Sequence, residues 1–321
     1  MSTIAARPST VTVGVDTHLD IHVAAVPDGI GRLLGSAGFA TSPAGNAELI
    51  AWAEQYGTIG QVGVEGTGAY GAQLTRDLQR AGHLVIEVDR PDRQARRARG
   101  KDDHLDAEAA ARAVLSGRAS TTAKSRTGQI EAIRALRVAR RTTVSGRTAA
   151  MNQLKALLIT ASGDLREQLR TLTSAQLVTT AARLRPHDDL SDPLAATKYA
   201  MREIALRHQF LTDQLKRLDK HLTALVNAAA PTLLARQGVG TDTAGALLVA
   251  VDDNPGRLRN EGSFAHLCGV APLPAFSGKT TGRHRLNRGG NRQANNALWR
   301  IVLVPMGTDQ RTKDYVARRT T

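Results

Sequence analysis

Cysteine, aromatic residues and long apolar runs are all scarce in this 321-residue chain. Cys268 is the only cysteine, which excludes an internal disulfide and a cysteine-rich zinc site. A reducing, cytoplasmic setting, beside the nucleoid whenever DNA is bound, is the simplest expectation. Aromatic residues make up 3% of the chain, which argues against single-strand recognition on stacked base platforms and favours backbone contacts from arginine. No apolar run approaches the roughly eighteen residues of a spanning helix. The opening residues, MSTIAARPST, lack the apolar core of a signal peptide. Acids are short as well: 43 Lys and Arg stand against 29 Asp and Glu, a net charge of +14. That excess favours a polyanionic partner, through phosphate neutralisation and counterion release.

The positive charge is not evenly spread. After Glu261 no carboxylate appears until Asp309, and Lys279, Arg283, Arg285, Arg288, Arg292 and Arg300 lie in that gap. Solvated charge runs usually mix signs, so one-sign charge over this length points to an anionic partner. A second cluster, Arg90, Arg93, Arg96, Arg97, Arg99 and Lys101, leads into the segment Asp102-Asp-His-Leu-Asp106. Both clusters are read as nucleic-acid-binding.

The length suits two or three domains. Residues 1–125 alternate strand and helix patterns. Strands are expected at Val11–Asp16, Ile21–Val26, Gln61–Glu65 and Leu84–Val88, the first two joined as a hairpin. Helices are expected at Pro43–Tyr56, near Ala69–Ala81, and from the Asp103 region to about Leu115. This is the element order of an RNase H-like α/β domain with a mixed sheet. Residues 126–230 read as helical. There Leu211, Leu215, Leu218, Leu222 and Leu225 form a heptad seam suited to an antiparallel coiled-coil arm or a dimer interface. Residues 231–321 read as a mainly helical domain. Its stretch Leu233–Leu248 resembles a helix-hairpin-helix, in which Gly238 and Gly240 make the turn and offer amides to a phosphate.

Four acids carry the chemistry. Asp16 and Glu65 each close a strand pattern, and Asp103 and Asp106 share one helical face at i, i+3 spacing. Taken singly, each acid is more often a turn residue or a helix cap than a ligand. As an ordered set they suit Mg²⁺, which prefers carboxylate oxygens, in the two-ion geometry of phosphodiester displacement. Asp102 points about 100° away from Asp103 and reads as a helix-start acid.

The blocks Val-Gly-Val-Asp16, Val-Glu65-Gly-Thr-Gly-Ala-Tyr70 and Arg99-Gly-Lys-Asp-Asp103-His-Leu-Asp106-Ala resemble the DEDD transposases of the insertion-sequence one-ten family. So do Gly238-Val-Gly, Phe264-Ala-His-Leu-Cys-Gly-Val-Ala-Pro272, Phe276-Ser-Gly278 and Asn287-Arg-Gly-Gly-Asn291, in the family's order and over nearly the whole chain. The resemblance implies a RuvC-like N-terminal domain, a helical insertion and a transposase domain with a serine nucleophile, here Ser277. It also implies a recombinase guided by a structured bridge RNA that pairs with donor and target DNA. Protomers would assemble as dimers or tetramers, the acidic site of one meeting the serine of another. By itself Ser277 reads as a turn residue before Gly278; its nucleophilic role comes only from the resemblance. Two rival readings stay open: a junction endonuclease that uses water, and an inactive nucleic-acid-binding remnant. Asp102 stands where the family commonly has threonine, a change expected to be tolerated. Family members usually continue beyond the point where this chain stops, so looser packing around Ser277 is expected.

Overall fold

Val11, Val13 and Val15 alternate with Thr12, Gly14 and Asp16, and this period-two pattern folds as β1 (Thr10–Thr17) in the computed structural model. The structure describes residues 10–88, 102–252, 258–278, 281–287 and 289–320. The chain divides into two compact units, one formed by residues 1–128 and 251–264, the other by 129–250 and 265–321.

In the first unit β2 (Ile21–Pro27) and β3 (Leu33–Ala40) follow β1 as antiparallel strands. After α1 (Pro43–Glu54) comes β4 (Thr58–Glu65), which pairs parallel to β1. After α2 (Ala72–Arg80), β5 (Leu84–Val88) pairs parallel to β4. The sheet order is β3-β2-β1-β4-β5, a mixed α/β sheet that fits the RNase H-like expectation. β3 was not among the expected strands: its sequence LLGSAGFA lacks apolar alternation, and it lies at the exposed sheet edge. The helix expected near Ala69–Ala81 starts later, at Ala72, because residues 66–71 turn through Gly66 with φ of 72°.

The two sheet faces are covered differently. Val11, Val13, Val15, Val62 and Val64 pack with Leu49, Leu74 and Leu78 from α1 and α2. The opposite face receives α3 (Asp103–Leu115), whose Ala107 packs with Val23 and Ala25, and whose Ala110 and Val114 pack with Ile86 and Val88. Gly14 and Gly63, paired in register, leave room for it. A Cβ at Gly14 would lie 2.1 Å from the Ala107 carbonyl oxygen, and one at Gly63 would lie 2.7 Å from Val114 Cγ2. The helix backbone therefore approaches the sheet as closely as a missing side chain permits.

The second unit is mainly helical. Its two long helices are α4 (Gln129–Thr160) and α7 (Pro193–Ala229), with α5 (Gly163–Leu169) and α6 (Ser174–Ala181) between them. Ile130 and Ile133 pack with Leu222 and Val226, while Leu154 packs with Met201 and Ala205, so α4 and α7 run antiparallel. Of the leucine seam, Leu215 and Leu222 are buried, and Leu211, Leu218 and Leu225 are partly so. The chain continues through α8 (Pro231–Leu234), α9 (Thr241–Val251), α10 (Glu261–Leu267), the short hairpin β6 (Pro272–Pro274) and β7 (His284–Leu286), α11 (Arg292–Thr308) and α12 (Gln310–Thr320). The β6–β7 hairpin lies inside the region expected to be mainly helical. No helix among the described residues is long and apolar enough to cross a membrane.

Candidate functional site

Strand alternation turns Asp16 to the same side of β1 as Gly14, and Glu65 to the same side of β4 as Gly63. Val15 pairs with Val64, so the next residues, Asp16 and Glu65, end neighbouring parallel strands side by side. Thr17 Oγ donates to the Glu65 carbonyl oxygen at 2.8 Å and ties the two strand ends together. α3 lies over this face, and its first turn carries Asp103 and Asp106. Asp102 caps that helix, its carboxylate accepting from the His104 N–H at 2.9 Å, as a helix-start acid should.

The side chains that meet most closely are Asp16, His18 and Asp103. Their donor atoms all lie within 4.8 Å of one another. His18 Nε2 is 3.0 Å from Asp16 Oδ2 and 3.3 Å from Asp103 Oδ1. Burial pushes the Asp16 carboxyl above its ordinary range, and the charge and hydrogen bond of His18 pull it back. The Asp106 and Asp103 carboxylates push it up further, so both act on Asp16 electrostatically. Asp106 is buried, Asp103 is half-exposed and Glu65 is half-buried at the adjoining strand end.

Oxygen donors plus one imidazole are the ligand types of divalent cations. The chemistry of the set fits such an ion: a carboxylate raised by burial, and further by its acidic neighbours, is relieved by a cation among them. His18 was not among the sequence candidates. The signal was present, since His18 directly follows β1, two positions after Asp16.

Ser277 belongs to the other unit. It is exposed, in the connection between β6 and β7, and two residues earlier the Ala275 N–H donates to the Arg283 carbonyl oxygen at 2.8 Å. Arg283 and Arg285 are exposed on the same hairpin, and Arg292 opens α11. His284 Nδ1 lies 3.0 Å from the Gly282 carbonyl oxygen, within its own turn. Gly238 has φ of 82°, and a Cβ there would sit 2.6 Å from the Ile301 carbonyl oxygen. The Gly240 N–H donates to Thr243 Oγ at 3.0 Å, so that amide is already bonded inside the turn. Arg90, Arg93, Arg96, Arg97, Arg99, Lys101, Lys279 and Arg288 lie outside the described residues.

Two family models match the chain in order. One, for DEDD transposases of IS110 and described as Transposase, takes residues 13–162. The other, described as Transposase IS116/IS110/IS902 family, takes residues 230–317. The chain belongs to the IS110 transposase family. All four acids of this IS110-family chain fall in the first matched region and Ser277 falls in the second. The chain is also 31% identical over 109 residues to the Insertion element IS110 uncharacterized 43.6 kDa protein of Streptomyces coelicolor. That stretch is 33% of this chain and 27% of the relative, so the match spans little more than a quarter of the relative's length.

Proposed function

We propose that this chain is an RNA-guided DNA recombinase of an insertion sequence, which cuts and rejoins DNA through a phosphoserine intermediate. The observation that carries the reading is the meeting of Asp16, His18 and Asp103, with Asp106 acting on the same carboxylate and Glu65 closing the neighbouring strand. In this reading Asp16, Glu65, Asp103 and Asp106 hold Mg²⁺, which when bound supplies Lewis-acid stabilisation of charge on a phosphoryl oxygen.

The protein's own groups divide the remaining work. Ser277 Oγ gives up its proton and bonds to phosphorus as the bond to the leaving deoxyribose oxygen breaks, and that oxygen takes up a proton. Attack by a second DNA end reverses the step, rejoins the strand and restores the hydroxyl. A serine hydroxyl needs help at neutral pH, and Lys279, Arg283 and Arg285 would stabilise the phosphoryl charge. Arg90 to Lys101, Arg288 and Arg292 would hold nucleic-acid backbone, leaving base pairing by the guide RNA to choose donor and target. The long helices α4 and α7 would form the coiled-coil arm of a dimer or tetramer, with acids and serine supplied by different protomers. The segment from α8 to α9 would be the helix-hairpin-helix-like element.

The test incubates purified protein with guide RNA, donor DNA, target DNA and Mg²⁺ and resolves covalent protein–DNA adducts on denaturing gels. The expected result is an adduct with the wild type and none with Ser277→Ala. Cleavage that survives Ser277→Ala would establish the water-using endonuclease instead. Binding by the wild type with no adduct and no cleavage would establish the remnant.

A further inference from the structure

The second compact unit contains a cleft of about 280 Å³ between α4, α9 and α11. Five arginines and one acid dominate its lining: Arg137, Arg140 and Arg141 from α4, Asp242 from α9, and Arg292 and Arg300 from α11. The three α4 arginines share a helical face at i, i+3 and i+4, which is why residues adjacent in space are spread along the sequence.

The charges do not balance. Asp242 receives Arg137 Nη2 at 3.2 Å and Arg300 Nη1 at 3.1 Å, with Arg140 Nη1 at 3.5 Å. Arg140 also pairs with Asp219. Among the described residues no carboxylate pairs with Arg141 or Arg292, both of which are exposed at the cleft. A network that only joined three helices would need no such surplus. Concentrated in a concave wall, it raises the local concentration of anions.

Arg137 adds a second observation. Its side chain is 13% exposed, and its Nε is buried with no hydrogen-bond partner. It crosses α9 at Gly245, where a Cβ would lie 3.0 Å from Arg137 Cδ. Glycine inside a helix is unfavourable, and here it makes room for a guanidinium held against the cleft. Guanidinium forks match phosphate oxygens in pairs, and the space admits a phosphate with a flanking sugar.

We propose that this cleft binds the phosphodiester backbone of a nucleic acid, with Arg141 and Arg292 making the outer contacts and Arg137 the inner one. The site extends the expected C-terminal binding surface onto the long helix α4, and its test requires no strand cleavage. It therefore stands or falls separately from the phosphoserine mechanism.

The experiment measures binding of full-length protein to a labelled duplex DNA and to a labelled structured RNA, by fluorescence anisotropy over a salt series. Arg141→Ala/Arg292→Ala is compared with Arg166→Ala/Arg217→Ala, a pair of exposed α5 and α7 positions outside the cleft with the same change in net charge. Thermal melting verifies that both double variants are folded. The cleft pair is expected to weaken binding roughly tenfold and to make the log–log salt slope shallower by about 1 to 2, as when one or two phosphate contacts are lost. A larger loss with DNA assigns the cleft to DNA, a larger loss with RNA assigns it to RNA, and equal losses assign it to either backbone. Losses no greater than those of the control pair, on both nucleic acids, would overturn the site.

Discussion

Gly14 and Gly63 face each other across β1 and β4, and the backbone of α3 rests on both. The two glycines lie two residues before Asp16 and Glu65. Close seating of α3 is therefore tied to the same strand ends that carry the acids, and it brings Asp103 to Asp16. Gly14→Ala places a methyl 2.1 Å from the Ala107 carbonyl oxygen. Backbone cannot rotate away as a side chain can, so a loss of roughly 1–3 kcal/mol or more is expected. Denaturant unfolding measures it, and divalent-ion binding should weaken in parallel. An unchanged midpoint would show that α3 is not held at this distance.

Asp16→Asn should separate stability from function. The Asp16 carboxyl is raised mainly by burial and also by Asp106 and Asp103. A raised folded-state value means that the stability linked to this group is full in acid, below its unfolded value, and is lost as pH rises through the folded one. At neutral pH without divalent ions the buried charge is a cost, so Asp16→Asn is expected to melt at a higher temperature than the wild type. The gap should close as pH falls. Added Mg²⁺ or Mn²⁺ should then stabilise the wild type, by about 2.7 kcal/mol at a hundred times the dissociation constant, and leave the variant unmoved. A variant less stable at neutral pH, or still stabilised by metal, would contradict the assignment.

His18→Ala addresses the choice of ion. An imidazole beside two carboxylates favours transition metals over magnesium, which prefers oxygen alone. The expected outcome is that Mn²⁺ affinity, read by titration calorimetry without DNA, falls roughly tenfold or more, while Mg²⁺ affinity changes less; even partners one shell beyond the ligands typically cost about 10–100-fold. Equal binding of both ions by wild type and variant would remove His18 from the ligand set.

Asp102→Ala removes the cap of α3, whose carboxylate accepts the His104 N–H. A loss of about 1 kcal/mol is expected, with faster amide exchange confined to the first turn that carries Asp103. Asp102→Thr keeps a capping oxygen and should lose only a few tenths. If both substitutions cost the same, the cap is not what holds that turn.

Much of the first unit was legible because its periods are clean. Valines at alternate positions of β1 and β4 and the Ala-rich helix from Asp103 reveal their elements without knowledge of partners. β3 was not legible, since this edge strand, LLGSAGFA, sets Phe39 against the core but otherwise carries small residues with no apolar period. The β6–β7 hairpin, with three residues in each strand, is too short for a period to show.

The order of the four acids, the one-sign charge after Glu261 and the family of the chain were determined by the sequence alone, because each is a property of local spacing and composition. Only the tertiary structure decided that His18 stands between Asp16 and Asp103, and that arginines 155 residues apart, Arg137 and Arg292, line one cleft. Such meetings depend on how closely helices seat against a sheet or against one another. That distance is set by packing between distant segments, which no local pattern encodes.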